Sequence, residues 1–186
     1  MNNIILSGFM GSGKTAVGKQ LSSKLNMDFI DLDDWIEEEA QMAINEIFAK
    51  FGEDYFRELE KEIVKKACES LKNSVISTGG GVILRDENVE NLHRAGIVIW
   101  LKVSPEKVYE RTKDASHRPL LNCPNPLEKI KKLLSFRTPY YTAAADFIVD
   151  TSDLTVEEVV LRITRYLKLC PGVVLSKFCP EYHQVS

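Results

Sequence analysis

The sequence lacks two patterns: the long apolar run of a membrane helix, and the cysteine spacing of a metal or disulfide framework. No segment approaches about 18 consecutive apolar residues. No basic stretch precedes a long apolar core near residue 1, so we expect no signal peptide and no membrane partner. The four cysteines are scattered without a Cys-x-x-Cys pair, which argues against zinc and structural disulfides. We therefore expect reduced thiols and a cytoplasmic location.

The sequence also lacks a large excess of either positive or negative charge. The 24 Lys and Arg residues and the 27 Asp and Glu residues give a formal net charge of -3. Proteins that bind nucleic acids usually carry a basic face, so we expect no nucleic-acid partner. The chain has 186 residues, 44% of them hydrophobic, which suffices for one domain with a buried core. A site for an anion must therefore concentrate its cations locally.

Apolar segments alternate with segments of helical periodicity. This alternation predicts an α/β fold, in which a five-stranded parallel sheet is covered by helices on both faces. Ligands in such folds bind at the carboxyl ends of the strands. The strands are predicted at 3–7, 29–30, 75–77, 97–101 and 147–149. The helices are predicted at 14–25, from 34 onward, and at 53–71, 87–94, 105–112, 127–141 and 156–169.

The first predicted strand leads into a phosphate-binding loop. The segment from Gly8 to Thr15 reads Gly-Phe-Met-Gly-Ser-Gly-Lys-Thr and matches G-x-x-x-x-G-K-[ST]. In this loop glycines turn backbone N–H groups onto phosphates, Lys14 reaches the β- and γ-phosphates, and the Thr15 hydroxyl ligates Mg²⁺. The alternative is a glycine turn before an ordinary helix, and the position between strand and helix disfavours it. The predicted ATP-binding residues here are Gly11, Ser12, Gly13, Lys14, Thr15 and Ala16.

Two aspartates, Asp31 and Asp33, follow the second predicted strand. Residues two apart in a strand lie on one side, so both carboxylates would project into the same space. One could hold the water shell of Mg²⁺, and the other could accept a hydrogen bond from an attacking hydroxyl. A loop with a helix cap is the alternative, and a preceding phosphate loop favours the functional interpretation.

Two further groups could bind a small anion. Arg57 and Glu60 lie three residues apart on a predicted helix, so Glu60 can brace the guanidinium for a carboxylate ligand. By itself, a solvated ion pair is the simpler interpretation. Three glycines, 79–81, follow the third strand, where they either open backbone N–H groups to a ligand or form a flexible turn.

Arginines flank a polar segment, residues 113–126, that contains three prolines. An arginine on a loop that closes over the γ-phosphate would stabilise transition-state charge and exclude water. The candidates are Arg111, Arg118 and Arg137, although each taken singly is more simply a surface arginine.

Together these residues resemble the shikimate kinase family. The likeness runs from about residue 4 to residue 169, in the family's order. It comprises Gly8 to Thr15, Asp31-x-Asp33-x-x-Ile36-Glu37, Phe56-Arg57-x-x-Glu60, Gly79-Gly80-Gly81, Arg111, Arg118-Pro119-Leu120-Leu121, and Arg137 with Pro139 and Tyr141. The resemblance implies ATP-dependent phosphorylation of the 3-hydroxyl of shikimate, with release of ADP, in aromatic amino-acid biosynthesis. It also implies a P-loop fold with strand order 2-3-1-4-5, as in nucleoside monophosphate kinases.

The resemblance implies roles on the acceptor side of the site. Asp33 would hold the shikimate hydroxyls and could take the proton. Arg57 and Arg137 would bind the shikimate carboxylate. The ring would contact Gly79, Gly80 and Gly81. The implied catalytic residues are Lys14, Asp33 and Arg118.

On the nucleotide side, the resemblance implies that Arg118 enters with a lid and that Arg111 lies beside adenine. Asp153 stands in the adenine-contacting stretch, which here lacks a proline often found in the family. Asp31 would order Mg²⁺ together with Thr15.

The implied organisation is one domain over residues 1–170, with a substrate-binding part at about 31–62, a lid at about 113–124, and a tail at 171–186. We expect a monomer. Two alternatives share the phosphate loop. One is another small-molecule kinase, for gluconate or a nucleoside monophosphate, in which the Arg57–Glu60 element and the triple glycine have no use. The other is a nucleotide-dependent switch, for which no guanine-specifying N-K-x-D element is present.

Overall fold

The computed structural model describes residues 3–113 and 124–169. None of the helices in these two ranges is long and apolar enough to cross a membrane. The five strands are β1 Asn3–Ser7, β2 Asp28–Asp31, β3 Ser74–Ser77, β4 Gly96–Lys102 and β5 Phe147–Asp150. The helices are α1 Lys14–Leu25, α2 Leu32–Ala40, α3 Ile44–Ser70, α4 Asp86–Ala95, α5 Pro105–Thr112, α6 Pro126–Ala144 and α7 Val156–Leu169, with a short 3-10 helix at Val82–Leu84.

The strands form one parallel sheet in the order β2-β3-β1-β4-β5, which confirms the predicted order. The central strand β1 is buried along its whole length. The carboxyl ends of β1, β2 and β3 therefore meet at one edge of the sheet. This edge carries the phosphate-loop segment, the two aspartates and the triple glycine.

Alternation along the strands divides the core between the two faces of the sheet. Ile4 and Leu6 pack with α1 and α7 on one face. Ile5 points the other way and packs with α2, α3 and α4. Successive side chains of a strand point to opposite faces, so a strand buried on both faces is apolar throughout. The predicted three-layer α/β/α architecture is confirmed.

The helix predicted over 53–71 is the second part of a longer element. α3 begins at Ile44, and Gly52 interrupts it with φ 83° and ψ 177°. This backbone conformation favours glycine, and a Cβ at Gly52 would meet no atom within 4 Å. The sequence prediction missed residues 44–51 because a glycine inside a periodic pattern indicates a break rather than a kink.

Some predicted features lie outside the described residues. These are residues 114–123 of the predicted lid, Arg118 among them, and the predicted tail at 171–186.

Candidate active site

The segment between β1 and α1 has the strand–loop–helix arrangement predicted for a phosphate loop. Gly11 and Gly13 have φ values of 73° and 93°, a region that L side chains rarely adopt. The loop is closed by a hydrogen bond from Ser12 N to Phe9 O at 3.2 Å. Its glycines are therefore required by the backbone geometry.

Lys14 begins α1 and reaches back across this loop. Its Nζ donates to Gly8 O at 2.9 Å and to Phe9 O at 3.1 Å. The ammonium also attracts the Asp33 carboxylate, lowering the pKa of that carboxyl against other influences that raise it. The structure thus places the predicted catalytic lysine between the loop and the acidic side of the cleft.

Asp31 links β2, α2 and the phosphate loop. Its Oδ1 accepts from Asp33 N at 3.2 Å and caps α2, while its Oδ2 accepts from the Thr15 hydroxyl at 3.0 Å. The prediction that both aspartates extend from one strand is wrong, because the cap turns the chain into a helix immediately after Asp31. Asp33 instead lies in the first turn of α2. The helix-cap alternative therefore describes the local structure of Asp31.

The Thr15 hydroxyl and the Asp31 carboxylate supply hard oxygen ligands of the type that Mg²⁺ prefers. Within residues 3–113 and 124–169, no group of three His, Cys, Asp or Glu side chains could hold a metal. Magnesium in nucleotide sites is usually bound by one or two protein oxygens together with water and phosphate oxygens. The residues present fit such an ion.

Asp33 lies against the backbone of the triple glycine. A Cβ added at Gly79 would be 2.7 Å from Asp33 Oδ1 and 3.1 Å from Glu60 Oε1. Burial raises the pKa of Asp33 to about 6, the negative charge of Asp31 adds to the rise, and Lys14 opposes it. Asp33 is therefore a carboxylate that is ionised at neutral pH but takes up a proton more readily than an ordinary aspartate.

Arg57 is fixed by two carboxylates of its own helix. Its Nη1 donates to Glu60 Oε2 at 2.9 Å and Oε1 at 3.1 Å, and its Nη2 donates to Glu53 Oε1 at 3.1 Å. Glu60 is only 1% exposed, so the solvated-pair interpretation is wrong. Burial raises the pKa of the Glu60 carboxyl, and Arg57 offsets part of the rise. The guanidinium packs directly over Gly81.

Arg137 reaches the same glycine segment from α6. Its Nη1 donates to Gly80 O at 3.3 Å, and its guanidinium carbon lies 5.6 Å from the centre of the Phe9 ring. Its Nε is buried and has no hydrogen-bond partner in the described part of the chain. A buried donor without a partner costs stability, and such unpaired groups are often found at functional sites.

Tyr141 also binds the middle glycine. Its hydroxyl donates to Gly80 O at 2.6 Å, and its ring stacks on Trp100 at 5.4 Å. The Tyr141 hydroxyl is not among the predicted site residues, because the periodicity of α6 does not reveal which strand end this hydroxyl meets.

Arg111, predicted beside adenine, lies on α5 and joins two loops. It donates to Gly11 O at 3.0 Å, to Thr151 O at 2.7 Å and to Ser152 O at 3.3 Å. Asp153 is exposed on the loop after β5. The structure therefore places these predicted site residues around the carboxyl ends of the strands: Lys14, Thr15, Asp31, Asp33, Arg57, Arg111 and Arg137. Arg118 lies outside the described residues.

A family model described as shikimate kinase matches residues 10–168 of the chain. Similar curated proteins carry the same name. A shikimate kinase of Thermodesulfovibrio yellowstonii is 49% identical over 173 residues, covering 92% of this chain and 99% of that protein. One of Caldanaerobacter subterraneus is 47% identical over 170 residues, covering 91% and 98%.

Solved structures are similar as well. The shikimate kinase of Acinetobacter baumannii in complex with shikimate has a TM-score of 0.87 and 36% identity, covering 91% of this chain and 94% of that one. The shikimate kinase of Aquifex aeolicus has a TM-score of 0.78 and 39% identity, covering 93% and 98%.

Proposed function

This chain belongs to the shikimate kinase family, and from that membership we propose how its cleft performs the family's reaction. The reaction transfers the γ-phosphate of ATP to the 3-hydroxyl of shikimate and releases ADP. One observation carries the assignment of residues: Asp33, Arg57 and Arg137 all converge on the backbone of residues 79–81. A carboxylate for hydroxyls and two guanidiniums for a carboxylate complement an acceptor of this chemistry.

On the acceptor side, Arg57 and Arg137 bind the carboxylate of shikimate. The Glu60 and Glu53 carboxylates hold the Arg57 fork in place, and the Gly80 carbonyl accepts from Nη1 of Arg137 and so fixes the second guanidinium. Gly79, Gly80 and Gly81 lie against the ring, and a Cβ at Gly79 or at Gly81 would collide with Asp33 or with Arg57. The acceptor hydroxyl is thereby directed at Asp33.

Asp33 orients the 3-hydroxyl and accepts its proton. With a pKa raised to about 6, this carboxylate is ionised at neutral pH and is a stronger base than an ordinary aspartate. Phosphoryl transfer needs little covalent assistance, so positioning and charge neutralisation supply most of the catalysis.

On the nucleotide side, the backbone of Gly11 to Ala16 surrounds the phosphates and Lys14 neutralises their charge. Arg118 enters from the lid, and Arg111 and Asp153 lie on the adenine side. Support for the adenine side comes from Arg111, which ties the phosphate loop to the loop after β5.

Thr15 and Asp31 would hold Mg²⁺, which supplies charge neutralisation on the phosphates when it is bound. The direct contact between the two side chains supports this assignment. The division into a substrate-binding part at 31–62, a lid at 113–124 and a tail at 171–186 remains a proposal, as do a monomeric state and a cytoplasmic location.

A coupled ADP-release assay with Mg·ATP tests the proposal across shikimate, gluconate and nucleoside monophosphates. We expect turnover with shikimate alone. Turnover only with gluconate or a nucleoside monophosphate would support the other kinase assignment. Nucleotide binding without any phosphate acceptor would support a switch.

A further inference from the structure

We propose that Thr151 is a positioning residue for the phosphate loop: its hydroxyl holds the peptide between Ser12 and Gly13 so that the Gly13 N–H faces the nucleotide phosphates. This inference rests on the proposed ATP site. It assigns to the loop after β5 a role on the phosphates, in addition to any contact with the base.

The contact between Thr151 and Ser12 is buried and joins residues 139 positions apart in the sequence. Thr151 is 2% exposed and Ser12 is 1% exposed. The Thr151 hydroxyl has one hydrogen and two carbonyl acceptors within reach, Ser12 O at 3.2 Å and Lys102 O at 3.0 Å. The Lys102 carbonyl already accepts from Thr151 N at 2.8 Å. Ser12 O therefore depends more on this hydroxyl than Lys102 O does.

Peptide geometry converts this contact into an orientation of the loop. A trans peptide is planar, and its C=O and the following N–H point in opposite directions. The described residues contain no cis peptide. When Ser12 O is directed outward at Thr151, the Gly13 N–H must point inward, to the side where α1 begins. Arg111 holds the preceding carbonyl, Gly11 O, in the same way.

The loop that carries Thr151 is itself braced. The Asp150 carboxylate accepts from Ser152 N at 3.0 Å and from Ser152 Oγ at 2.6 Å. Ser104 N, at the cap of α5, donates to Ser152 Oγ at 2.9 Å. Thr151 is therefore held in place by its own loop. When its hydroxyl is removed, we expect the phosphate loop to shift rather than the loop after β5.

The test compares Thr151→Val with Thr151→Ser and with Thr164→Val. Thr164 is a matched control because it is also buried, but its hydroxyl donates within α7 to Val160 O and Leu161 O. Calorimetry measures the binding of ADP and of pyrophosphate, which has no base, and the coupled assay measures KM for ATP and for shikimate. Thermal unfolding reports the stability of each variant.

We expect Thr151→Val to weaken both ADP and pyrophosphate binding about tenfold, as for a buried carbonyl that loses its donor. KM for ATP should rise similarly while KM for shikimate stays within about twofold. Thr151→Ser should restore most of the affinity, and Thr164→Val should lower only the melting temperature.

Wild-type pyrophosphate affinity in Thr151→Val would overturn the inference, since the residue would then act only on the base. An equal loss in Thr164→Val would also overturn it, because general loosening would explain both. If the wild type binds ADP but does not phosphorylate shikimate, the proposed function fails. The pyrophosphate affinity of Thr151→Val still decides, in that case, whether Thr151 positions the phosphate loop.

Discussion

Replacing Asp33 by asparagine should stabilise the protein while it greatly lowers kcat. In the folded protein burial raises the pKa of Asp33 from its ordinary value of 3.8 to about 6. Between these two values the folded state binds a proton that the unfolded chain has released, so this residue makes stability fall as the pH rises. An asparagine side chain at this position would be neutral at every pH and would escape that loss.

The magnitude follows from the two pKa values. One pKa unit corresponds to about 1.4 kcal/mol, so Asp33, compared with a residue that is neutral in both states, lowers the free energy of unfolding by about 1.5 kcal/mol at pH 5 and about 3 kcal/mol at pH 7.5. Urea unfolding of the wild type and of Asp33→Asn at the two pH values measures the difference. The advantage of the variant should roughly double between them.

The same variant should lose at least about a hundredfold in kcat, because the acceptor hydroxyl loses its base. Asp54→Asn, at an exposed position of α3, is the control and should change stability by less than about 0.5 kcal/mol. A stability difference that is independent of pH would refute the argument from burial. Near-normal kcat would refute the assignment of Asp33 to the reaction.

Three other substitutions test separate parts of the cleft. Gly79→Ala places a Cβ 2.7 Å from Asp33 Oδ1, where ordinary contact begins at 3.4 Å. Because Asp33 must then move, kcat should fall about 10- to 100-fold. An unchanged kcat would show that catalysis does not depend on the position of Asp33. Lys14→Ala should abolish turnover by removing charge from the phosphates, and near-normal kcat would contradict the ATP site. Arg57→Lys keeps a cation beside Glu60 but loses the guanidinium fork. KM for shikimate should rise at least about tenfold, with little change in KM for ATP. An equal rise in KM for both substrates would indicate that Arg57 has a structural role.

Local patterns predicted much of the fold because their causes are local. The helix over 14–25 and the helix over 156–169 are found with the predicted bounds. The helix over 105–112 also has its predicted bounds, and Ser104 caps it with an Oγ that accepts from Lys107 N. The failures, at residues 44–51 and at Asp33, occur where a single residue redirects the chain: Gly52 kinks a helix and Asp31 caps one.

The candidate site was predicted less completely, because its chemistry depends on contacts between distant segments. The Arg57–Glu60 pair could be read from helix spacing, but its burial could not, and burial decides whether the pair is a surface feature or a fixed fork. No pattern in the sequence indicates that Thr151 meets Ser12, or that the Tyr141 hydroxyl meets Gly80.

The sequence by itself determined the phosphate loop, the parallel sheet and the resemblance of the chain to a kinase family, since spacing and periodicity are properties of neighbouring residues. The tertiary structure alone decided which carboxylate is buried, which arginines converge on residues 79–81, and how the phosphate loop is braced from the loop after β5. The physical reason is that desolvation and convergence arise only when segments far apart in the chain pack together. The same packing gathers a few cations into one cleft of a protein whose net charge is -3.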